Sequence, residues 1–429
     1  MPPPPLVTDD SHRPPTHARH WVVAIAGALA VITFVDRTCM SQAKVSIAAD
    51  LGLTSVQMGY VFAAFTTAYA LCEIPGGWLG DLIGPRKVLT RVVLLWSFFT
   101  AATGQVWNLA SLLVTQFLFG AGEAGAFPNL AKAFTHWLPV SERNRAVSIM
   151  WLCTRWGGAV TPLLVVWVIS LVGWRWAFAV LAVPGLAWAI VFHLWFRDQP
   201  RDHPGVDAAE RALIQEGRPP AAPRAPVPWT KLLGSRTVWL LFIQYFCFGY
   251  GWYFYITWLP TYVKEARGLT LQKGALISGL PLFFGGFACI LSGWLAGRLV
   301  REGFALARVR RWLAFVGYGG AAAMLLLSPR IADPLWAMLA MALASFSLDL
   351  TLPVCWRTAM DVGGKYAGTV AGTMNMAGQV GGAVGPIVVG YILQYLNHNW
   401  TLTFVLSAAI NVLGGLCWIW IDPVTPIES

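Results

Sequence analysis

The chain has 429 residues, 57% of them hydrophobic and only 12% charged, with a formal net charge of +10. Soluble domains carry roughly a quarter charged residues, so the composition excludes an ordinary soluble domain and indicates an integral membrane protein. The positive balance does not imply a nucleic-acid partner, because the basic residues fall in the connections between apolar runs.

The first 19 residues, polar and proline-rich, are expected to form a disordered tail over 1–19. The apolar stretch that follows is too long for the core of a cleavable signal peptide. Apolar runs of about 20 residues, enough to cross a bilayer, lie near 21–45, 57–78, 88–107, 109–136, 145–172 and 174–196. Six more lie near 237–263, 274–300, 310–328, 335–360, 366–395 and 400–421. The reading is all-α, with twelve transmembrane helices in two six-helix bundles over 20–197 and 237–422. Between the bundles, 198–236 is a charged, Pro-rich linker with one short surface helix in DAAERALIQE, and 423–429 is a short tail. With the N-terminus in the cytoplasm, 22 of the 30 Lys and Arg fall on that side. The positive-inside rule then puts both termini in the cytoplasm, at a plasma membrane. Lys44 and Arg175 count among the six outside, and Arg37 and Arg155 are left at membrane depth. The seven cysteines lie singly inside apolar spans without metal spacing and read as packing residues, so neither a metal nor a cofactor is expected.

The two halves repeat weakly. Gly77-Trp78-Leu79 recurs as Gly293-Trp294-Leu295, and the run from Gly157 to Pro162 recurs from Gly381 to Pro386, displaced by 216 and 224 residues. Duplicated bundles that rock about a site between them are a recurring transporter design. The loop after the second span carries Gly77, Asp81, Gly84, Arg86 and Lys87 in the spacing G-x-x-x-D-x-x-G-x-R-K, which resembles the loop motif of the major facilitator superfamily. Its second copy is degenerate, with Gly297 in place of the acid. A narrower resemblance, to the anion:cation symporter family, is carried by VDR at 35–37, MGYVFAAF at 58–65, IPGGWLGD at 74–81, GAGEAGAFPN at 120–129, TWLPTYV at 257–263 and MNMAGQVGGAVGP at 374–386. That family includes bacterial galactonate, glucarate and hexuronate transporters. The resemblance implies proton-coupled symport of a small organic anion, such as a sugar acid, by alternating access. It also implies a gating role for the loop motif and a bacterial inner-membrane location, and the carrier is expected to be a monomer.

Charges at membrane depth are costly, about 2.5 to 3.5 kcal/mol each on insertion scales, and so point to function. Asp36 and Arg37 are adjacent on a helix, point about 100° apart and should face different partners. The resemblance assigns Asp36 and Glu123 to proton coupling and Arg37 to a neighbouring charge network. Glu123 lies in GAGEAGA, whose small residues let another backbone approach closely. Gln116, two turns earlier, stands where the symporter pattern usually has Arg, so it joins the network without a charge. Arg155 then becomes the candidate anion anchor, since its planar fork suits a carboxylate. The alternative is a structural pair with Glu123 or Asp36. The 224-residue displacement makes Gln379 its counterpart, one turn after Asn375. Tyr69, Tyr253, Asn375 and Gln379 are the remaining expected substrate contacts, Tyr69, Tyr253 and Asn375 by position in the resemblance. Glu73 reads as a gate or structural contact, and Asp349 has no assigned role, with Arg357 a candidate partner.

The seventh span has five Tyr or Trp between 248 and 258, suited either to stacking on a sugar ring or to anchoring at the lipid interface. An enzyme is disfavoured by the lack of HExxH and GxSxG motifs. A drug/proton antiporter fits poorly with arginines at depth. A sodium-coupled anion or phosphate carrier remains open, since carboxylates serve either ion, and no signalling domain suggests a sensor.

Overall fold

In the computed structural model, which describes residues 15–216 and 229–427, every expected span is helical. A bilayer offers no partner for backbone N–H and C=O groups, so long apolar runs close their hydrogen bonds internally. The first half runs α1 Ala18–Leu51, α2 Ser55–Ile83, α3 Pro85–Thr103, α4 Leu109–Glu123, α5 Ala126–Trp137 and α6 Val140–Trp195. The fourth span is thus broken after Glu123. The fifth and sixth share α6, which turns at Gly173 in the left-handed region (φ 75°). The linker contributes α7 Ala208–Gln215 and α8 Trp229–Gly234. The second half runs α9 Arg236–Thr257, α10 Leu259–Glu265, α11 Leu271–Ser278, α12 Leu280–Arg301, α13 Leu306–Leu327, α14 Pro334–Leu350, α15 Leu352–Gly363, α16 Ala367–Tyr395 and α17 Trp400–Trp420.

Eight helical stretches among the described residues meet the length and hydropathy of a membrane span, one of them being the paired spans of α6. The α2 and α9–α10 stretches fall short because Tyr, Trp, Thr and Gly dilute their hydropathy, and α3 because Arg86, Lys87 and Arg91 lie within it. Exposed tryptophans gather near helix ends on both faces, with Trp21, Trp78, Trp239, Trp312 and Trp420 on one and Trp107, Trp176 and Trp336 on the other. Such belts sit at headgroup level, where an indole meets both water and lipid.

The duplication is visible in the packing. The pair α1–α6 in the first half corresponds to α9–α16 in the second. A Cβ on Gly158 would press on Phe34 of α1, and one on its repeat partner Gly382 would overlap the ring of Tyr253 in α9. Between the halves, α2 packs against α16, α6 against α11 and α12, and α1 against α9 and α10. The α2–α16 seam is close because Gly59 faces the Pro386 carbonyl and Gly390 faces that of Ser55. Any Cβ there would sit 2.7 and 2.6 Å from backbone oxygen.

The linker, the start of α1 and the ends of α2, α5 and α6 share one face, here the linker face. Asp198 accepts from the Arg86 amide at 2.8 Å, and the Trp137 indole donates to the Arg197 carbonyl at 2.8 Å. Glu210 of α7, fully buried, accepts from the amides of Ala18 and Arg19 and from the Thr16 hydroxyl, capping α1 from the linker. The expected tail 1–19 is therefore ordered at its end, with α1 starting at Ala18. On the far face an apolar cluster drawn from both halves, including Met40, Ile47, Phe62, Trp258, Tyr262 and Trp400, closes the interface. Lys44, counted among the basic residues of the outer side, is buried on this far face, because α1 runs on to Leu51. Its ammonium donates to Thr261 Oγ1 at 3.2 Å and lies 3.6 Å from the Trp258 ring centroid.

Candidate functional site

A cavity opens between the halves, in the part of the protein nearer the linker face. Its walls include Arg37, Tyr69, Glu73, Arg155, Tyr253, Asn375 and Gln379, so all five expected substrate contacts share one space with Arg37. The helices that present them come from both halves, which is what a site between rocking bundles requires.

Arg37 and Asp36 do not pair with each other, and only Arg37 has an ion-pair partner among the described residues. Arg37 donates from Nε to Glu123 Oε1 at 2.7 Å, and its Nη2 lies 2.5 Å from the same oxygen. Its guanidinium also lies 5.0 to 5.6 Å from the ring centroids of Phe34, Phe65 and Tyr69, an aromatic cradle for a cation. Asp36 is 2% exposed, and neither of its oxygens has a hydrogen-bond partner among the described residues. The close approach expected around Glu123 is real: a Cβ on Gly120 would overlap the backbone of Phe65 in α2. Gln116 donates to Thr103 Oγ1 at 3.2 Å and, with Arg37, lines a smaller void beside the main cavity.

Arg155 pairs with neither Glu123 nor Asp36. Its Nη2 donates to Asp349 Oδ1 at 2.6 Å, across the two halves. Asp349 therefore does not use Arg357, which points outward. The helix breaks after Leu350, ahead of Pro353, and the expected two-turn register is lost. The Arg155 guanidinium lies 4.7 Å from the Trp252 ring, which in turn meets Phe34 edge-on at 6.0 Å. Tyr253 donates to Gln379 Oε1 at 2.5 Å, and Asn375 donates to Glu73 Oε1 at 2.6 Å across the α2–α16 seam. Trp151 and Trp356, from opposite halves, approach to 6.4 Å between ring centroids at the linker side of the cavity. They carry no sequence signal, since they lie in unrelated contexts outside both repeats.

The loop motif forms a tight corner. Gly84 (φ 87°) ends α2, and Pro85 opens α3. Arg86 donates twice to the His193 carbonyl, at 3.0 and 2.6 Å, which ties the corner to the end of α6 within the first half. Lys87 is exposed, Gly77 faces Pro128, and the side chain of Asp81 lies outside the described ones. No group of three or more His, Cys, Asp or Glu able to hold a metal occurs among the described residues.

Two bundles of membrane-spanning helices enclosing a charged, aromatic-walled cavity define a multi-pass membrane transporter fold. The chain belongs to the Major Facilitator Superfamily, whose family profile matches residues 26–386. It is 37% identical over 413 residues to the probable sulfoacetate transporter SauU of Cupriavidus necator, covering 96% of this chain and 95% of that one. It is 31% identical to the D-galactonate transporter of Escherichia coli, over 94% of this chain and 96% of the relative. Identity is also 31% to the probable galactarate/D-glucarate transporter GudP of Escherichia coli, over 94% and 93%. In three dimensions it is similar to a bacterial homologue of the human lysosomal transporter Spinster, with a TM-score of 0.75 at 16% identity, covering 94% of this chain and 97% of that one. The chain is thus a multi-pass membrane protein of the Major Facilitator Superfamily, similar to carriers named for organic anions.

Proposed function

We propose that the protein carries a small organic anion, a sugar acid or a short carboxylate of comparable charge, into the cell together with protons by alternating access. One observation carries this reading: a single cavity between the halves holds two guanidiniums, Arg37 and Arg155, each against a buried carboxylate. Intramembrane charges are rarely kept without use, and buried guanidiniums supply the charge and the planar fork that carboxylates and related oxyanions match. Relatives whose names specify sulfoacetate, galactonate and glucarate support an organic anion as cargo.

In this reading Asp36 and Glu123 take up protons from outside as the anion enters. Arg37, released from the full charge of Glu123, and Arg155 hold the anion, while Tyr69, Tyr253, Asn375 and Gln379 orient its polar groups. Loss of the protons on the cytoplasmic side lets Glu123 reclaim Arg37 and releases the cargo. The linker face is cytoplasmic, the protein sits in a bacterial inner membrane as a monomer with both termini inside, and it performs no chemical conversion. The bundle boundaries are 20–197 and 237–422. Uptake of labelled sulfoacetate, D-galactonate and D-glucarate into proteoliposomes, under imposed proton or sodium gradients, tests the proposal. Accumulation driven by a proton gradient is expected, and accumulation that follows only sodium would refute the coupling.

A further inference from the structure

The two ion pairs of the cavity differ in what they join. Arg37 and Glu123 both belong to the first half, so rotating one half against the other leaves that pair intact. Arg155 on α6 and Asp349 on α14 belong to different halves, and the reading above gives Asp349 no task. The engagement is slender. One guanidinium nitrogen meets one carboxylate oxygen, while Arg155 Nε and Asp349 Oδ2 are buried without hydrogen-bond partners. Arg155 lines the cavity and Asp349 does not. Asp349 is boxed in behind it: a Cβ on Gly285 of α12 would overlap Oδ2, and the Cys289 thiol lies 3.8 Å from the Asp349 carbonyl. The ring of Trp252 holds the guanidinium between these two sides. Arg155 thus faces a fixed carboxylate behind and open space in front, with part of its fork uncommitted.

We propose that Asp349 is a tethered competitor of the transported anion for Arg155, and so a coupling carboxylate contributed by the second half. The proposal rests on the anion-symport reading. When Asp349 takes a proton, the ion pair passes from Asp349 to the anion in the cavity. When Asp349 loses that proton it reclaims Arg155 and expels the anion. A protonated Asp349 still fits its box, and Oδ2 has no hydrogen bond to lose. The ionisable groups that face Asp349 from neighbouring elements are Arg155 on α6, Tyr255 on α9 and Cys289 on α12, so Arg155 is the charge it answers to. Asp349 is a positioning residue that acts through Arg155 and does not touch the cargo.

The test uses the full chain in proteoliposomes, with sulfoacetate, D-galactonate and D-glucarate as probes. One linked proton makes anion affinity fall about tenfold per pH unit above the carboxylate's titration. In Asp349→Asn that dependence is expected to lose one proton's worth of slope, and affinity at the alkaline end to rise by about tenfold, or about 1.4 kcal/mol. Exchange of labelled for unlabelled anion should continue, while accumulation driven by a pH gradient falls. A variant with the parent's pH slope and accumulation would overturn the proposal, as would one that loses binding and exchange together. Parent vesicles that take up none of the three anions would instead sink the symport reading itself. Exchanging the charges, Arg155→Asp with Asp349→Arg, separates a brace from a competitor. A mere brace would be restored along with transport, which would also overturn the proposal, whereas a competitor leaves a folded protein without anion binding.

Discussion

Replacing Glu123 with Gln removes the counter-ion of Arg37 and little else, because the two side chains are nearly isosteric. The pair is 8% and 1% exposed, so solvent screens it weakly. Breaking a buried pair by removing one partner costs about 3–5 kcal/mol, chiefly for the charge left behind. Two features pull this figure down. The amide oxygen of Gln can still accept from Arg37, and a hydrogen bond to a charged group contributes about 1.5–3 kcal/mol. Repulsion between Glu123 and the nearby Asp36 also disappears. The cradle of Phe34, Phe65 and Tyr69 is common to both proteins and cancels. The expected loss is therefore about 2–3 kcal/mol, at or just below the lower bound for a broken buried pair. A double-mutant cycle with Arg37→Met, read by unfolding in detergent, should give a coupling energy of about 2 kcal/mol or more, within the range for contacting residues. A coupling below about 1 kcal/mol, the range of exposed pairs, would refute the claim that Glu123 is the partner that neutralises Arg37. In vesicles the same variant should keep anion exchange and accumulate less under a pH gradient.

Arg155→Lys keeps the charge but not the fork, and anion affinity should fall about tenfold, the scale of one charge-assisted hydrogen bond. Full transport and affinity in that variant would dismiss Arg155 as a bidentate anchor. Gly382→Ala places a methyl into the ring of Tyr253, which donates to Gln379. Overpacking of this kind costs about 1–3 kcal/mol, so both melting temperature and anion affinity should drop, whereas Gly372→Ala, which meets nothing within 4 Å, should leave both unchanged. On the linker, burial and the Arg197 guanidinium hold His203 below the usual imidazole value. Its ring accepts from the Gly205 amide at 3.0 Å and sits against Trp137 and Trp195. The neutral ring's contribution is fully present above about pH 6.5, the value of a free imidazole, and is lost as the pH falls through the lowered folded value. Thermal unfolding should show an acid limb that His203→Phe flattens, and an unchanged limb would assign it to other groups.

The spans were legible because hydropathy over 20 residues is a local property, and all twelve expected runs lie on helices. Their interruptions were not. Pro260, Pro281 and Pro353 each open a new helix, yet Pro75, Pro162, Pro184 and Pro386 sit inside unbroken ones. The proline alone does not decide, because neighbouring helices determine whether freed backbone groups find partners. Within the site, Arg155, Tyr253, Asn375 and Gln379 were readable from motif and repeat. The partner of Arg155 was not, since Asp349 lies 194 residues away and outside both repeats. The burial of Lys44 was not legible either, because the indole and hydroxyl that receive its ammonium come from Trp258 and Thr261, in the other half of the chain.

The apolar plug on the far face has a thermal consequence. Opening that side means hydrating Met40, Ile47, Phe62, Trp258 and their neighbours, which the closed arrangement keeps dry. Hydrophobic association weakens on cooling, whereas the ion pairs and hydrogen bonds on the linker side of the cavity do not share that dependence. Chilling should therefore tilt the resting balance toward far-face opening, so that the carrier's preferred side depends on the temperature at which it is handled.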